Sequence, residues 1–131
     1  ETYDGAIPSG NSVMAYNLSR LAVLTESEEL RKLSAKQNEF MNARAAGSPA
    51  GSGFYLYAAL PVKEVVCVPE SEEAARGVRV RSDWIFRLSA GDPRYPLLNG
   101  RTTYYVCGEG ACLPPSNDPP DGTVGVNRSP D

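Results

Sequence analysis

Residues 60–69 read LPVKEVVCVP, and the hydrophobic period of the chain changes inside them. Upstream of Pro61 apolar residues recur at helical spacing. Val62–Val68 is instead a short β-branched run closed by prolines at 61 and 69, the pattern of a buried strand. A helical part therefore precedes a strand-bearing part, and the expected class is α+β.

Working back from Pro61, the loop-like stretch AGSPAGSG (46–53) carries a proline that equally suits the first turn of a third helix, running through Phe54, Tyr57 and Ala58 to Leu60. Before it, Leu30, Leu33, Gln37, Phe40 and Met41 keep helical period towards Ala45, and Thr25-x-x-Glu28 reads as a capping box opening this second helix. Val13, Met14, Leu18, Leu21, Ala22 and Leu24 mark the first helix. A very short turn joins the two, which predicts an antiparallel helical hairpin.

Downstream, ESEEAAR (70–76) is a helix candidate, while DWIFRLS (83–89) and RTTYYVC (101–107) bring the expected strands to about three. The connector between the first two strands lacks a long helix, which argues against a parallel crossover. After Cys112 the sequence LPPSNDPPDGTVGVNRSPD is too rich in proline and too poor in apolar surface to be expected regular. The expected organisation is a helical segment at 1–61, a small strand-rich piece at 62–115 and an irregular tail at 116–131.

A chain of 131 residues with a net charge of −3 and dispersed Lys and Arg offers no footprint for nucleic acid or an anionic membrane. It contains no apolar run long enough for a membrane span and no signal-peptide layout, so a cytoplasmic protein is expected. The start at Glu1 is read as that of a piece cut from a longer chain. Three cysteines fit no secreted disulfide framework, and the absence of histidine removes Ser-His-Asp and Cys-His catalysis together with imidazole zinc sites.

Chemistry is left to a few places. Asp4, Ser9, Asn11 and Ser12 precede the first helix; Ser9 or Asn11 can cap it, and the exposed N–H groups there suit a polar ligand. Cys107 and Cys112 form C-x4-C, open to three readings: structural thiols in a turn, a disulfide or redox pair, or a metal site with Cys67 as a third ligand. The glycines of GEG (108–110) fail the dinucleotide fingerprint, because Leu113 stands where a third glycine belongs. Glu70, Glu72 and Glu73 read as a solvated helix start. Trp84, Phe86, Tyr104 and Tyr105 read as strand residues filling a core or an interface.

Three stretches in this order, YDGAIPSGNSVMAYNLSRLAVLT (3–25), ALPVKEVVCV (59–68) and GRTTYYVCGEGACLPP (100–115), resemble the C-terminal end of thioredoxin-domain-containing proteins related to spermatogenesis-associated protein 20 and their bacterial counterparts. The resemblance implies a parent with a thioredoxin-like domain followed by an (α/α)6 barrel similar to that of N-acylglucosamine 2-epimerases. The helices here would then end the barrel, and the strand-rich piece would close it. It further implies that Asp4, Ser9, Asn11 and Ser12 rim a pocket for a polar, carbohydrate-like small molecule, with no cofactor and no metal in this chain. The partners implied are the barrel helices and thioredoxin-like domain of the parent, with self-association of the piece when it is alone. On this reading the chain is not itself catalytic, although the parent could be a sugar-processing or redox enzyme. The alternatives are a thiol-redox role for Cys107 and Cys112 alongside the thioredoxin-like domain, and a plain interaction module.

Overall fold

The computed structural model describes residues 1–80, 84–108 and 110–120, together with the backbone of 124–126. The chain divides into two compact units, Glu1–Pro61 and Val62–Asp131.

The first unit is helical. Helix α1 (Gly10–Thr25) and helix α2 (Glu28–Gly47) form the hairpin, a 3₁₀ turn follows at Pro49–Gly51, and helix α3 (Gly53–Ala58) completes the unit. The turn between α1 and α2 corrects the capping box. Glu26 adopts a left-handed conformation (φ 53°) that ends α1, and Ser27 caps α2 by accepting a hydrogen bond from the Leu30 N–H. Thr25 is the last residue of α1, and its hydroxyl donates back to the Leu21 carbonyl at 2.7 Å.

The seam of the hairpin is made mostly of small side chains. Ser12, Ala15 and Ala22 are buried on α1, and Ser34, Met41 and Ala45 on α2. Tyr55 of α3 is buried in a cluster with Ala15, Met41 and Ala45, and is its largest member. The N-terminal segment docks on the 3₁₀ turn, where the Asp4 N–H donates to the Gly51 carbonyl at 2.8 Å. The Tyr3 ring lies so close to Gly51 that a Cβ there would stand 2.6 Å from it.

The second unit is built on a four-stranded sheet in the order β3-β1-β4-β5, from β1 (Glu64–Val68), β3 (Ile85–Leu88), β4 (Thr103–Gly108) and β5 (Ala111–Cys112). Strand β1 is central and buried from Val65 to Val68, as its uninterrupted apolar run predicts. Val65 and Cys67 face one side with Tyr104, against Val78, Trp84, Phe86 and Val106. Val66 and Val68 face the other side with Tyr105, against Tyr95 and Cys107.

Contrary to the sequence expectation, β1 and β3 pair in parallel, Val65 opposite Phe86. The connector from Pro69 to Trp84 is long enough for the crossover, and a short helix α4 (Glu72–Gly77) within it suffices to carry the chain back. A second, two-stranded ladder pairs β2 (Val78–Val80) with β6 (Val124–Val126), so part of the tail expected to be irregular is a strand. Asp83 and Glu109, included in the expected second strand and the GEG stretch, lie outside the described residues.

Candidate functional site

In the helical unit three of the four predicted pocket residues come together around one carboxylate. Asp4 Oδ1 accepts from the Ser9 N–H at 2.8 Å, and Asp4 Oδ2 accepts from the Tyr55 N–H at 2.9 Å. The side chain thus ties the start of α1 to the first turn of α3. Ser9 is the N-cap: its Oγ accepts from the Ser12 N–H at 3.2 Å and donates to Ser12 Oγ at 2.9 Å. Burial acts to raise the Asp4 pKa, but the Ser9 and Tyr55 N–H groups and the Ser12 and Ser9 hydroxyls outweigh it and hold the carboxyl below its usual value.

This arrangement is closed upon itself. Ser9 and Ser12 are buried, and their polar atoms pair with each other, with Asp4 and with backbone. Asn11 points elsewhere: its Nδ2 donates to the Glu1 carbonyl at 2.7 Å, and its Oδ1 accepts from Gln37 Nε2 at 3.1 Å. Chemically, the cluster is a structural knot of capping hydrogen bonds whose outer rim is the exposed backbone from Gly5 to Pro8.

The cysteine pair is oxidised. Cys107 of β4 and Cys112 of β5 stand directly opposite each other in the antiparallel ladder, with Cα atoms 4.0 Å apart, and form a disulfide. The reading of both as free thiols in a turn is thereby corrected. The turn joining the two strands includes Gly110 at φ +79°, a left-handed position that glycine adopts without strain. Cys112 is exposed and Cys107 half-buried.

Cys67 cannot join them. It lies opposite Tyr104 in the register, so strand alternation puts its side chain on the face of the sheet away from Cys107. Burial pushes its thiol up to about 11. A three-thiol metal site is excluded by the same alternation, and no cluster of metal-ligating side chains occurs among the described residues.

Sequence reading missed a third place. A cleft of about 710 Å³ in the strand unit is bounded by Glu70 to Val78, by Arg101, Thr102 and Tyr104, and by Asn117 to Pro119. Asn117 builds one wall: its Nδ2 donates to the carbonyls of Leu98 at 2.9 Å and Thr102 at 3.0 Å, and its Oδ1 accepts from Arg101 Nη2 at 3.2 Å. Glu70 fixes the other side, its Oε2 accepting from the Thr102 N–H at 3.0 Å. The sequence signal was the acidic run at 70–73 followed by an isolated arginine at 101, but nothing in it shows that the tail brings Asp118 to the same cleft. Among the described residues no helix is long and apolar enough to cross a membrane. Comparison of the chain with protein-family models, curated proteins and solved structures finds no match.

Proposed function

We propose that the chain is the non-catalytic C-terminal part of a thioredoxin-domain-containing protein whose parent resembles N-acylglucosamine 2-epimerase-like barrel proteins. In this reading α1–α3 end the barrel, the strand unit caps it, and the segment from Asp4 to Ser12, with Asp4, Ser9, Asn11 and Ser12 and the exposed residues Gly5 to Pro8, forms one edge of a pocket for a polar, carbohydrate-like ligand. The parent works in the cytoplasm and supplies the remaining walls.

One observation supports this above others: α1 is packed inside out. Its buried side is Ser12, Ala15 and Ala22, whereas Val13, Met14, Leu21 and Leu24 remain 37–50 % exposed. At a helical repeat these four fall within a stripe about 100° wide, the width of a face that normally meets a core. No charged residue lies within the stripe. On its border Arg20 stacks over the Tyr16 ring at 3.4 Å and keeps a buried Nη1 without a hydrogen-bond partner. Exposed Asn17 lies in the middle of the stripe, but four large apolar side chains on one exposed face still mark a contact surface, and neighbouring barrel helices are the occupant that the resemblance supplies.

Alone, the chain is expected to self-associate through this face, its light-scattering mass rising with concentration. The double variant Met14→Glu, Leu21→Glu should return it to a monomer with unchanged helical circular dichroism. A wild-type chain that stays monomeric at all concentrations overturns the reading.

The disulfide supports a second reading, a thiol-redox role. In a reducing cytoplasm a disulfide is transient and belongs to redox chemistry, whereas a permanent one belongs to an oxidising compartment. A dithiol protein of the thioredoxin class would attack exposed Cys112 with one thiolate, expelling Cys107 as thiolate and forming a mixed disulfide. Its second thiol then releases Cys112, so the donor loses two electrons and two protons to the pair. Thiol labelling at neutral pH is expected to find no reactive cysteine in the native chain and two after reduction. Cys67 should react only on unfolding, since burial keeps it protonated. A thiol titration with no reversible change between reduced and oxidised protein would refute the redox reading.

A further inference from the structure

The cleft of the strand unit is lined by groups of both signs that do not pair with each other. Glu73 and Asp118 bring carboxylates and Arg101 a guanidinium to the same depression, and among the described residues no ion pair joins them. A further feature points to a ligand more strongly than surface charge does. Tyr104 lines the cleft and is only 4 % exposed, yet its hydroxyl makes no hydrogen bond among the described residues and is not sealed from solvent. The other deeply buried tyrosines differ: Tyr55 Oη lies 2.7 Å from Asn42 Oδ1, and Tyr105 Oη donates to the Pro96 carbonyl at 2.6 Å. A tyrosine hydroxyl left accessible and unpaired in the wall of a cleft is available to a polar group bound there.

The walls are fixed before any ligand arrives. Asn117 and Glu70 hold the two sides through backbone hydrogen bonds, so Arg101, Glu73 and Asp118 project from anchored segments. The volume falls in the range of small-molecule sites. A wholly anionic ligand would meet two unpaired carboxylates, and a simple cation would leave the guanidinium and the tyrosine hydroxyl unmatched.

We propose that this cleft binds a small zwitterion, a molecule carrying both an ammonium and a carboxylate group, such as a dipeptide. Glu73 and Asp118 take the ammonium, Arg101 takes the carboxylate, and the Tyr104 hydroxyl hydrogen-bonds a polar group between them. This site is independent of the pocket edge assigned to the helical unit, so failure of either leaves the other standing.

The test is an amide NMR titration of the full chain with glycylglycine at fixed ionic strength, with methylammonium and acetate titrated separately as its two halves. Saturable shifts are expected at Ala74, Thr102 and Asn117, with the dipeptide binding about tenfold more tightly than either half. Arg101→Gln should weaken it about tenfold, and Tyr104→Phe, which removes only a hydroxyl, about fivefold, each with an otherwise unchanged spectrum. Shifts that never saturate, methylammonium binding as tightly as the dipeptide, or full affinity in both variants would overturn the proposal.

Discussion

Replacing Tyr55 with alanine is expected to lower the stability of the helical unit by about 3–5 kcal/mol, the usual cost of emptying a large aromatic site. Tyr55 is wholly buried, and its neighbours Ala15 and Ala45 are too small to move into the space it leaves. The cavity would therefore persist, and the hydroxyl's contacts with α2, at Asn42 Oδ1 and the Asn38 carbonyl, would be lost as well. Tyr55→Phe separates the two contributions. It keeps the ring and should cost only about 1 kcal/mol, the net value of a neutral hydrogen bond. Urea unfolding followed by far-UV circular dichroism measures both. Against a total stability of about 5–15 kcal/mol for an ordinary domain, that loss is about a fifth to the whole of what holds the fold together. Equal losses in the two variants would place the energy in the hydroxyl and contradict the packing argument.

Sequence periodicity placed the two long helices correctly but did not show which side of α1 packs on α2. The spacing of Val13, Met14, Leu21 and Leu24 is helical, and α1 is where it predicts. Periodicity, however, identifies an apolar stripe without saying what covers it, and in α1 the side packed on α2 is the one bearing serine and alanine. Close approach of two helices favours small residues, which carry little hydrophobic signal. Strand β1 was legible for the opposite reason, since burial on both faces leaves a continuous apolar run. Its parallel partner was not, because pairing is set by how far the connector reaches. Strands β2, β5 and β6 span two or three residues, too few to show alternation. The short turn before α2 misled in a similar way: Thr25 has the chemistry of a cap, but left-handed Glu26 delays the helix start and passes the role to Ser27.

The candidate sites divide along the same line. Ser9 capping α1 is local chemistry and could be read directly, as could the proximity of Cys107 and Cys112. The bond from Asp4 to the Tyr55 N–H spans 51 residues, and only the folded chain brings it about. The cleft likewise depends on three distant segments. Where a function rests on one segment, sequence identifies the groups; where it rests on several, sequence supplies candidates without their geometry.

Asp4 also carries the second large effect, one that depends on pH. Its carboxylate accepts from the Ser9 and Tyr55 N–H groups at the starts of two helices, so its charged form is favoured in the folded chain. Asp4→Asn keeps the shape but turns an N–H donor towards one of those backbone donors. At neutral pH it should cost about 2–3 kcal/mol, the scale of hydrogen bonds to a charged acceptor. Because the folded-state pKa is lowered, the carboxylate's contribution is complete above the unfolded value of about 3.9 and disappears as pH falls through the folded value. The gap between wild type and Asp4→Asn should therefore be wide at neutral pH and close in acid. Asp92 in the strand unit also has a lowered pKa, through its side-chain and backbone hydrogen bonds with Arg94, so unfolding must be followed on the helical signal, which α1 and α2 dominate. A gap that stays constant from neutral to acidic pH would mean that the charge of Asp4 does not hold the helix starts together. The knot would then rest on the Ser9–Ser12 cap alone.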